Sequence, residues 1–486
     1  MSCDSINVAV ESRSSETLQH FTLYGWFVIG VAAMTGTIFG YELGGSGGIL
    51  LLKSFQEDFG SGLDDAPYEN QNTALLALFA IGGVFGTMPS PYVSDTFGRK
   101  TSLAIFAVSA MVGSALDMVA PAGKIGFLWL GRFLVGTAIG GVTVVGPCYI
   151  SELCPANNRG RVSCMWQLGV TLGILAAGVV NLVVEYTSNS WRVAYSGTGV
   201  IGVAILAGLR QSVESPRWLM LRGKECEARD VLGLFLPPAE VEAEIVNMHA
   251  ELITFGVGLP SRWELVMFHH GMSVRNRAIV FFMALFQQLS GMNAIVYYAP
   301  MMFHNDDHNL KLNAIIQAVN LASTFLCFCI VDHLGRRVTI FAGAAVMLAS
   351  WGTLGILFGI GMQSMWSTFC ICLLFVFAFA WSWGPLMWIY GPEMFPTRHR
   401  SQGMAVMATS HWLWNTLLSR ATPFMISSRI ASIIGITIFS ISISIGSVLC
   451  YCYLPETTGQ SLEMLVRQSS DGTDFMLIPR SGDTHI

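Results

Sequence analysis

The chain has 486 residues, of which 53% are hydrophobic and only 12% are charged, and its formal net charge is -5. Soluble proteins carry about 25% charged residues, and a soluble fold cannot keep this much apolar surface away from water. The composition therefore excludes a soluble protein and indicates an integral membrane protein. The sequence has no basic cluster, so we expect no nucleic-acid partner.

Twelve apolar segments are long enough to cross a bilayer, for which a helix needs roughly 20 residues. The polar residues before the first segment lack the apolar core of a signal peptide, so we expect the first helix to direct insertion. A polar stretch separates the segments into two sets of six. The predicted spans begin near Phe21, Thr73, Thr101, Ile125, Val162 and Trp191 in the first set, and near Ala278, Leu312, Val338, Met365, Met404 and Ile430 in the second.

This pattern predicts an all-α membrane protein with twelve transmembrane helices in two six-helix bundles and a cytosolic helical linker. The charged stretches between Glu214 and Leu252 predict short amphipathic helices in that linker, broken at Pro237-Pro238. The predicted boundaries are a tail at 1–20, a first bundle at 21–210, a linker at 211–277, a second bundle at 278–454 and a tail at 455–486.

Lysine and arginine are unevenly distributed over the two sides of the predicted bundles. Nineteen lie on the side of the tails and the linker, and Arg132 lies within a span. Because positive charge is concentrated on the cytosolic side of membrane proteins, we expect the tails and the linker to be cytosolic. Six lie on the opposite side: Lys53, Lys124, Arg192, Lys311, Arg420 and Arg429.

Two motifs of the first half recur in the second half. The segment 94–100 follows the second span and 331–337 follows the eighth, while 151–161 follows the fourth and 392–400 follows the tenth. Matching charged residues lie between 237 and 241 residues apart. We infer duplication of a six-helix unit, and two parallel halves around a central site are a transporter architecture.

Carboxylates in these motifs recur in register with arginines at the predicted cytosolic face. Anchoring by positive charge explains the basic residues but not the acidic ones. We therefore expect an inter-helix ion-pair lattice that closes the cytosolic side in one state and breaks when the halves rock apart. Its predicted members are Asp95, Arg99, Glu152, Arg161, Asp332, Arg336, Glu393 and Arg400.

A lone carboxylate, Glu42, lies within the first span, and Arg132 lies within the fourth. The first helix runs outward to Lys53 and the fourth runs inward from Lys124, which places the two charges about 16 and 12 Å below the outer surface at 1.5 Å per residue. Opposite charges at similar depth can pair. The pair is either a permanent ion pair that fixes helix packing or a proton-coupling pair whose proton affinity changes as the helices move.

The seventh span contains Gln287, Gln288 and Asn293, followed by Tyr297 and Tyr298. A monosaccharide presents hydroxyl groups and an apolar C–H face, so its site needs amides, which donate and accept hydrogen bonds, and an aromatic surface. Amides in a membrane helix are costly without partners, and hydrogen bonding between helices is the alternative explanation.

Several ordered motifs resemble those of the sugar porter family of the major facilitator superfamily, over about Phe39 to Gln460. The departures are Val213 where the family often has proline and Thr458 where lysine is common. The motifs are Asp-Thr-Phe-Gly-Arg-Lys (95–100), Gly-Arg-Phe (131–133), Glu-Ser-Pro-Arg-Trp-Leu (214–219), Gln-Gln-Leu-Ser-Gly-Met-Asn (287–293), Asp-His-Leu-Gly-Arg-Arg (332–337), Trp-Gly-Pro (383–385) and Pro-Glu-Thr-Thr-Gly (455–459).

The resemblance implies proton-coupled symport of a monosaccharide, a hexose or a pentose, by alternating access. Proton-coupled members carry an acid and an arginine at the positions of Glu42 and Arg132, whereas facilitative members carry asparagine at the first. His411 stands where asparagine is common, and it either contacts the substrate or packs as a core histidine; Ala380 replaces a glutamate of glucose facilitators. The implied sugar contacts are Gln167, Gln287, Gln288, Asn293, Asn320, Trp388 (or a core tryptophan at that position) and Asn415.

Three other functions remain open at this point: a facilitative sugar uniporter, a non-transporting sugar receptor and a multi-pass enzyme. Receptors of this fold tend to have long cytosolic tails, and only about thirty residues follow the last predicted span. The sequence has no His-Glu-x-x-His motif, no paired metal-ligand spacing and no nucleophile elbow, so we expect no enzyme, metal or cofactor. The expected partners are a sugar, a proton and the lipid bilayer of the plasma membrane, and no oligomer is implied.

Overall fold

The computed structural model describes residues 22–60, 65–154, 159–255, 274–302, 309–362 and 364–454. The predicted tails, the motif at 455–459 and part of the predicted linker lie outside the described residues. The described secondary structure consists of helices joined by short turns, with the helices arranged as two bundles.

The first bundle contains six spans, one of them bent, and a short helix that follows the first span. The hydroxyl of Thr22 caps the first helix by accepting a hydrogen bond from the backbone N–H of Gly25 at 3.0 Å. The helices are α1 (Leu23–Ile49), α2 (Lys53–Gly60), α3 (Asp65–Thr87) with its continuation α4 (Ser90–Phe97), α5 (Arg99–Met118), α6 (Ile125–Leu153), α7 (Arg159–Val184) and α8 (Ser190–Gln211).

Three short helices follow the first bundle, and Pro238 begins the last of them, where the missing N–H of proline is tolerated. The second bundle then repeats the six-span pattern. The linker helices are α9 (Pro216–Leu221), α10 (Glu225–Leu232) and α11 (Pro238–Phe255). The second bundle consists of α12 (Val274–Gln288) with α13 (Met292–Met302), α14 (Asn309–Leu334), α15 (Arg336–Ile360), α16 (Met365–Trp381) with α17 (Trp383–Glu393), α18 (Arg400–Ile426) and α19 (Arg429–Tyr453).

Within the described part of the chain, nine helices are long and apolar enough to cross a membrane, and eleven spans result if each bent pair is one span. Helix α18 supplies the twelfth span. Its mean hydropathy is lower than that of the other spans because it carries polar side chains such as His411 and Asn415. Six of the twelve spans begin two to four residues before the predicted positions, whereas α3 begins at Asp65 rather than near Thr73 and α1 begins at Leu23, two residues after Phe21. These helices extend beyond the apolar segments because their first turns include polar residues.

The seventh span is broken between α12 and α13, which meet at a bend of 44°. Gly291 at the break has a φ of +92°, a conformation that side chains disfavour. Past the break, α13 approaches α1 of the other bundle so closely that a Cβ at Gly47 would lie 2.1 Å from the carbonyl oxygen of Tyr297. The two bundles are therefore in contact on the side opposite the linker.

The linker connects the bundles at the other end, which we call the linker side. The guanidinium of Arg217 donates to Glu251 on α11 at 3.0 Å, and the same carboxylate accepts from the backbone N–H of Thr397 at 2.6 Å. Glu214 accepts from the N–H of Arg99 at 2.9 Å and so caps the start of α5. Burial raises the pKa of Glu214. The linker thus holds elements of both bundles in place next to the ion pairs described below.

Candidate functional site

Glu152 is the centre of a buried ion-pair network on the linker side. It accepts from Nε and Nη2 of Arg99 at 2.9 and 3.1 Å, from Nη1 of Arg400 at 3.2 Å and from the hydroxyl of Ser215 at 2.6 Å. The Glu152 and Arg99 side chains have no exposed surface. Because Glu152 belongs to the first bundle and Arg400 to the second, this contact joins the two halves.

The second half contains the equivalent pairs. Arg336 lies 3.0 Å from Asp332 and 3.7 Å from Glu393, and Arg161 of the first half lies 3.8 Å from Asp332. All eight residues of the predicted lattice, with Asp95 bound to Arg99 at 3.0 Å, thus form ion pairs with one another. The linker side is closed in this structure, and the role of the pairs as a gate stays a prediction.

A second charged cluster lies inside the first bundle, where Arg132 contacts Glu42. Nη1 of Arg132 lies 2.5 Å from Oε2 of Glu42, so the two charges meet as their depths predict. The hydroxyl of Thr198 donates to the other oxygen of Glu42, and the Tyr195 ring lies 4.2 Å from the guanidinium carbon. Both charged side chains are 3% exposed, so the pair is shielded from water.

A further member of this cluster, Asp117, was not predicted from the sequence. Its Oδ2 accepts from Nε of Arg132 at 2.9 Å and also from Nη2. Asp117 is the penultimate residue of α5. The available signal was an acid within the third predicted span, because an ionisable residue there is expected to have a partner. The short connection between α5 and α6 brings it next to Arg132.

A cavity with an empty volume of about 490 Å³, including the space open to its surroundings, lies between the two bundles. The volume that is comparable with those of small-molecule sites is only about 40 Å³, against about 300–1,000 Å³ for such sites, so the cavity has to widen to hold a sugar. Seven of the eight predicted sugar-contacting residues line it: Gln167, Gln287, Gln288, Asn293, Asn320, Trp388 and His411.

The eighth residue, Asn415, is buried beside the cavity and does not line it. Its Oδ1 accepts a hydrogen bond from the hydroxyl of Tyr297 at 3.2 Å. Tyr297 lies on α13, beyond the break in the seventh span, so the bend places this hydroxyl at Asn415. Contact of Asn415 with a sugar therefore requires α13 to move.

The amides of the cavity bind one another and the histidine. Nε2 of Gln288 lies 2.7 Å from Nδ1 of His411, and Oε1 of Gln288 accepts from Asn293 at 2.6 Å. Oε1 of Gln167 is buried without a hydrogen-bond partner among the described residues. A ligand with several hydroxyl groups can exchange these contacts for its own, since amides donate and accept equally well.

Aromatic rings form one wall of the cavity. The ring of Trp388 lies 4.8 Å from Trp166 and 5.2 Å from His411, measured between centroids. Phe39 of α1 packs edge-on against Trp388 at 6.3 Å. These rings provide the apolar surface that the C–H face of a sugar ring requires, and Phe39 connects that surface to the helix carrying Glu42.

A family model described as "Sugar (and other) transporter" matches residues 28–468. The chain belongs to this sugar transporter family. The proton:xylose symporter XylE bound to 6-bromo-6-deoxy-D-glucose has the same fold, with a TM-score of 0.83, 26% identity, and coverage of 91% of this transporter and 98% of XylE. The family and the fold together confirm the predicted twelve-helix transporter of the major facilitator superfamily, a multi-pass membrane protein and not an enzyme.

Curated relatives are similar to this transporter over nearly their whole length. The H(+)/hexose cotransporter 1 of Parachlorella kessleri is 28% identical over 490 residues, which cover 94% of this chain and 90% of the relative. The galactose-proton symporter of Escherichia coli is 28% identical over 457 residues, with 92% and 95% covered. Sugar transport protein 2 of Arabidopsis thaliana is 29% identical, with 90% and 92% covered.

Proposed function

We propose that the protein is a proton-coupled monosaccharide symporter of the plasma membrane, with its tails and linker in the cytosol. One observation carries this proposal. Helix α1 contributes Phe39 and Leu43 to the central cavity and, between them in sequence, Glu42 to the charged cluster. A change in α1 that accompanies sugar binding therefore also moves the carboxylate relative to Arg132.

The two sites are coupled through that helix. An outward-open protein binds a proton at Glu42, which weakens its ion pair with Arg132 and allows α1 to adjust around the sugar. The linker-side pairs, including Glu152 with Arg400, then separate and release sugar and proton into the cytosol. Each ligand favours the state in which it binds more tightly, and this differential affinity is what coupling requires.

The substrate class follows from the cavity. Seven polar or aromatic residues of the kinds that bind hydroxyl groups and C–H faces converge there, and no lysine, arginine, aspartate or glutamate is among its lining residues. This chemistry suits an uncharged polyhydroxylated ring. The names of the relatives, which include hexose, galactose and xylose symporters, support the same class.

Transport by the purified protein in sealed vesicles tests the proposal. We expect labelled hexoses or pentoses to accumulate when the outside is acidic, and a protonophore to abolish the accumulation. Addition of sugar without an imposed gradient should raise the external pH. Equal rates and equal final levels with and without a pH difference would make the protein a facilitative uniporter, and binding without any flux would make it a receptor.

Replacing Gln288 by alanine is expected to weaken sugar binding without uncoupling transport. Gln288 lines the cavity, and the loss of one neutral hydrogen bond to the sugar costs about 0.5–1.5 kcal/mol, so KM should rise roughly two- to twelvefold. The measurement is the concentration dependence of uptake for the best-transported sugar. Gln56→Ala is the matched control, because Gln56 lies on α2 outside the cavity and donates to the carbonyl of Leu50 at 3.3 Å. An unchanged KM in Gln288→Ala would remove this residue from the sugar site.

A further inference from the structure

The carboxylate of Asp117 has no part in the mechanism proposed above. Arg132 nevertheless donates two hydrogen bonds to Asp117 and only one to Glu42. Nε and Nη2 of Arg132 both donate to Oδ2 of Asp117, whereas only Nη1 donates to Glu42. Asp117 is completely buried. The inference drawn from this arrangement rests on the proposed proton coupling of Glu42.

The cluster contains one more negative charge than positive charges. Among the described residues, the charged groups that face Asp117 are Arg132 of α6 and Glu42 of α1, while α8 contributes the neutral side chains of Tyr195 and Thr198. With both carboxylates ionised the cluster has a net charge of -1, and with one proton bound it is neutral. An uncompensated charge in a membrane interior is costly in free energy. The neutral cluster, with one proton bound, is therefore more favourable than the charged cluster in a closed state.

One oxygen of Asp117 is not used in this structure. Oδ1 is buried and has no hydrogen-bond partner within the described part of the chain. It lies at Gly131, where a Cβ would come within 2.1 Å of it, so the glycine next to Arg132 provides its space. A guanidinium has five N–H donors. An N–H that leaves Glu42 therefore has a buried acceptor within the same cluster.

We propose that Asp117 is a positioning residue for proton coupling, the permanent counterion that holds Arg132 when Glu42 binds a proton. A proton from the outer solution attaches to Oε2 of Glu42, and the contact from Nη1 of Arg132 breaks. Arg132 remains paired with ionised Asp117, and the charge of the cluster changes from -1 to zero. On the cytosolic side the proton leaves, and Nη1 returns to Glu42.

Without Asp117, protonation of Glu42 leaves a buried guanidinium with no carboxylate partner. Breaking a buried ion pair by removing one partner is strongly unfavourable. Glu42 would then remain ionised beside Arg132 until the outer solution is more acidic. Asp117 thus sets the pH range in which the transporter couples sugar to protons.

The test compares Asp117→Asn with Asp117→Glu, which restores the charge. We expect the external pH for half-maximal proton-driven uptake to fall by about one unit or more in Asp117→Asn, the size of shift that a neighbouring charge produces. Sugar exchange without a pH gradient should persist, and Asp117→Glu should recover the wild-type profile. A merely structural role would reduce the amount of active protein without moving the profile.

Two failures are distinguishable. Wild-type transport that ignores pH overturns the proposed function itself, whereas coupled wild-type transport with an unshifted profile in Asp117→Asn overturns only the role of Asp117. Should that variant not reach the membrane, infrared difference spectra of the wild type between acidic and neutral pH replace it. The protonated-carboxyl band that Glu42→Gln removes should shift with ¹³C-glutamate, and a shift with ¹³C-aspartate instead would overturn the proposal.

Discussion

Glutamine at position 42 is expected to abolish proton-driven accumulation of sugar while exchange of sugar across the membrane continues. The amide has nearly the size of the carboxylate: its oxygen can still accept from Arg132, and its NH2 can donate to the hydroxyl of Thr198, so the packing of α1 is preserved. It neither binds nor releases a proton at physiological pH. Sugar can then still drive the rocking of the halves, but the pH gradient cannot.

The size of the effect follows from the energy of the gradient. One pH unit corresponds to about 1.4 kcal/mol, which supports roughly tenfold accumulation at one proton per sugar. Glu42→Gln should reduce that ratio to equality of the two sides. The measurement is the final internal concentration of labelled sugar in vesicles with an acidic exterior, together with counterflow into vesicles preloaded with unlabelled sugar.

Asp58→Asn is the matched control for this experiment. Asp58 pairs with Arg192 at 3.1 Å, and both side chains are 28% exposed, so the change removes one carboxylate from an ion pair away from the cavity. The amide oxygen of asparagine can still accept from Arg192 and Trp191, so the local structure is preserved and this variant should accumulate sugar normally. If Glu42→Gln accumulates sugar as well as Asp58→Asn does, Glu42 is not the coupling residue.

The features that the sequence predicted best depend on local patterns. Lengths of apolar runs determine the spans, and the recurrence of charged motifs at a nearly constant spacing predicted which residues form the ion-pair lattice, although not which of them pair with Glu152 or Asp332. The pairing of Glu42 with Arg132 followed from their depths, because an α-helix rises by a constant 1.5 Å per residue. Each of these features depends on the separation of residues along the chain or on the regular rise of a helix.

The features that escaped prediction depend on side-chain direction and on irregular backbone. Asp117 lies near the end of α5, where an acid is normally hydrated, and only the packing at Gly131 reveals that it is buried against Arg132. Asn415 has the expected residue type, but the break at Gly291 directs Tyr297 to it and keeps it out of the cavity. No spacing rule predicts how such a break turns the following helix.

Replacing Glu152 by glutamine is expected to hold the transporter open on the linker side. Glu152 is the carboxylate that binds both Arg99 and Arg400, and the change leaves one negative charge fewer among buried guanidinium groups. Breaking a buried ion pair costs about 3–5 kcal/mol. The substitution mainly destabilises the conformation in which the linker side is closed, because water solvates these arginines once the halves separate.

Cys164 provides an intrinsic probe for this opening. It lies on α7 at the contact between the bundles, is completely buried, and places its Sγ 4.0 Å from the carbonyl oxygen of Thr324 on α14. In Glu152→Gln, a maleimide reagent added from the linker side should label Cys164 at least tenfold faster than in the wild type, since about 1.4 kcal/mol corresponds to a factor of ten. Mass spectrometry of the labelled peptide distinguishes Cys164 from the other cysteines.

Glu225→Gln controls for the loss of a carboxylate on the same side. Glu225 lies on the exposed surface of the linker, where hydrogen bonds from Arg229 and His249 lower its pKa without involving the contact between the bundles. Its replacement should leave the labelling of Cys164 and the transport rate unchanged. Transport by Glu152→Gln should fall sharply, because a protein held open to one side cannot complete the cycle. Slow labelling of Cys164 in Glu152→Gln, at the rate of the control, would mean that the ion pairs at Glu152 do not hold the linker side closed.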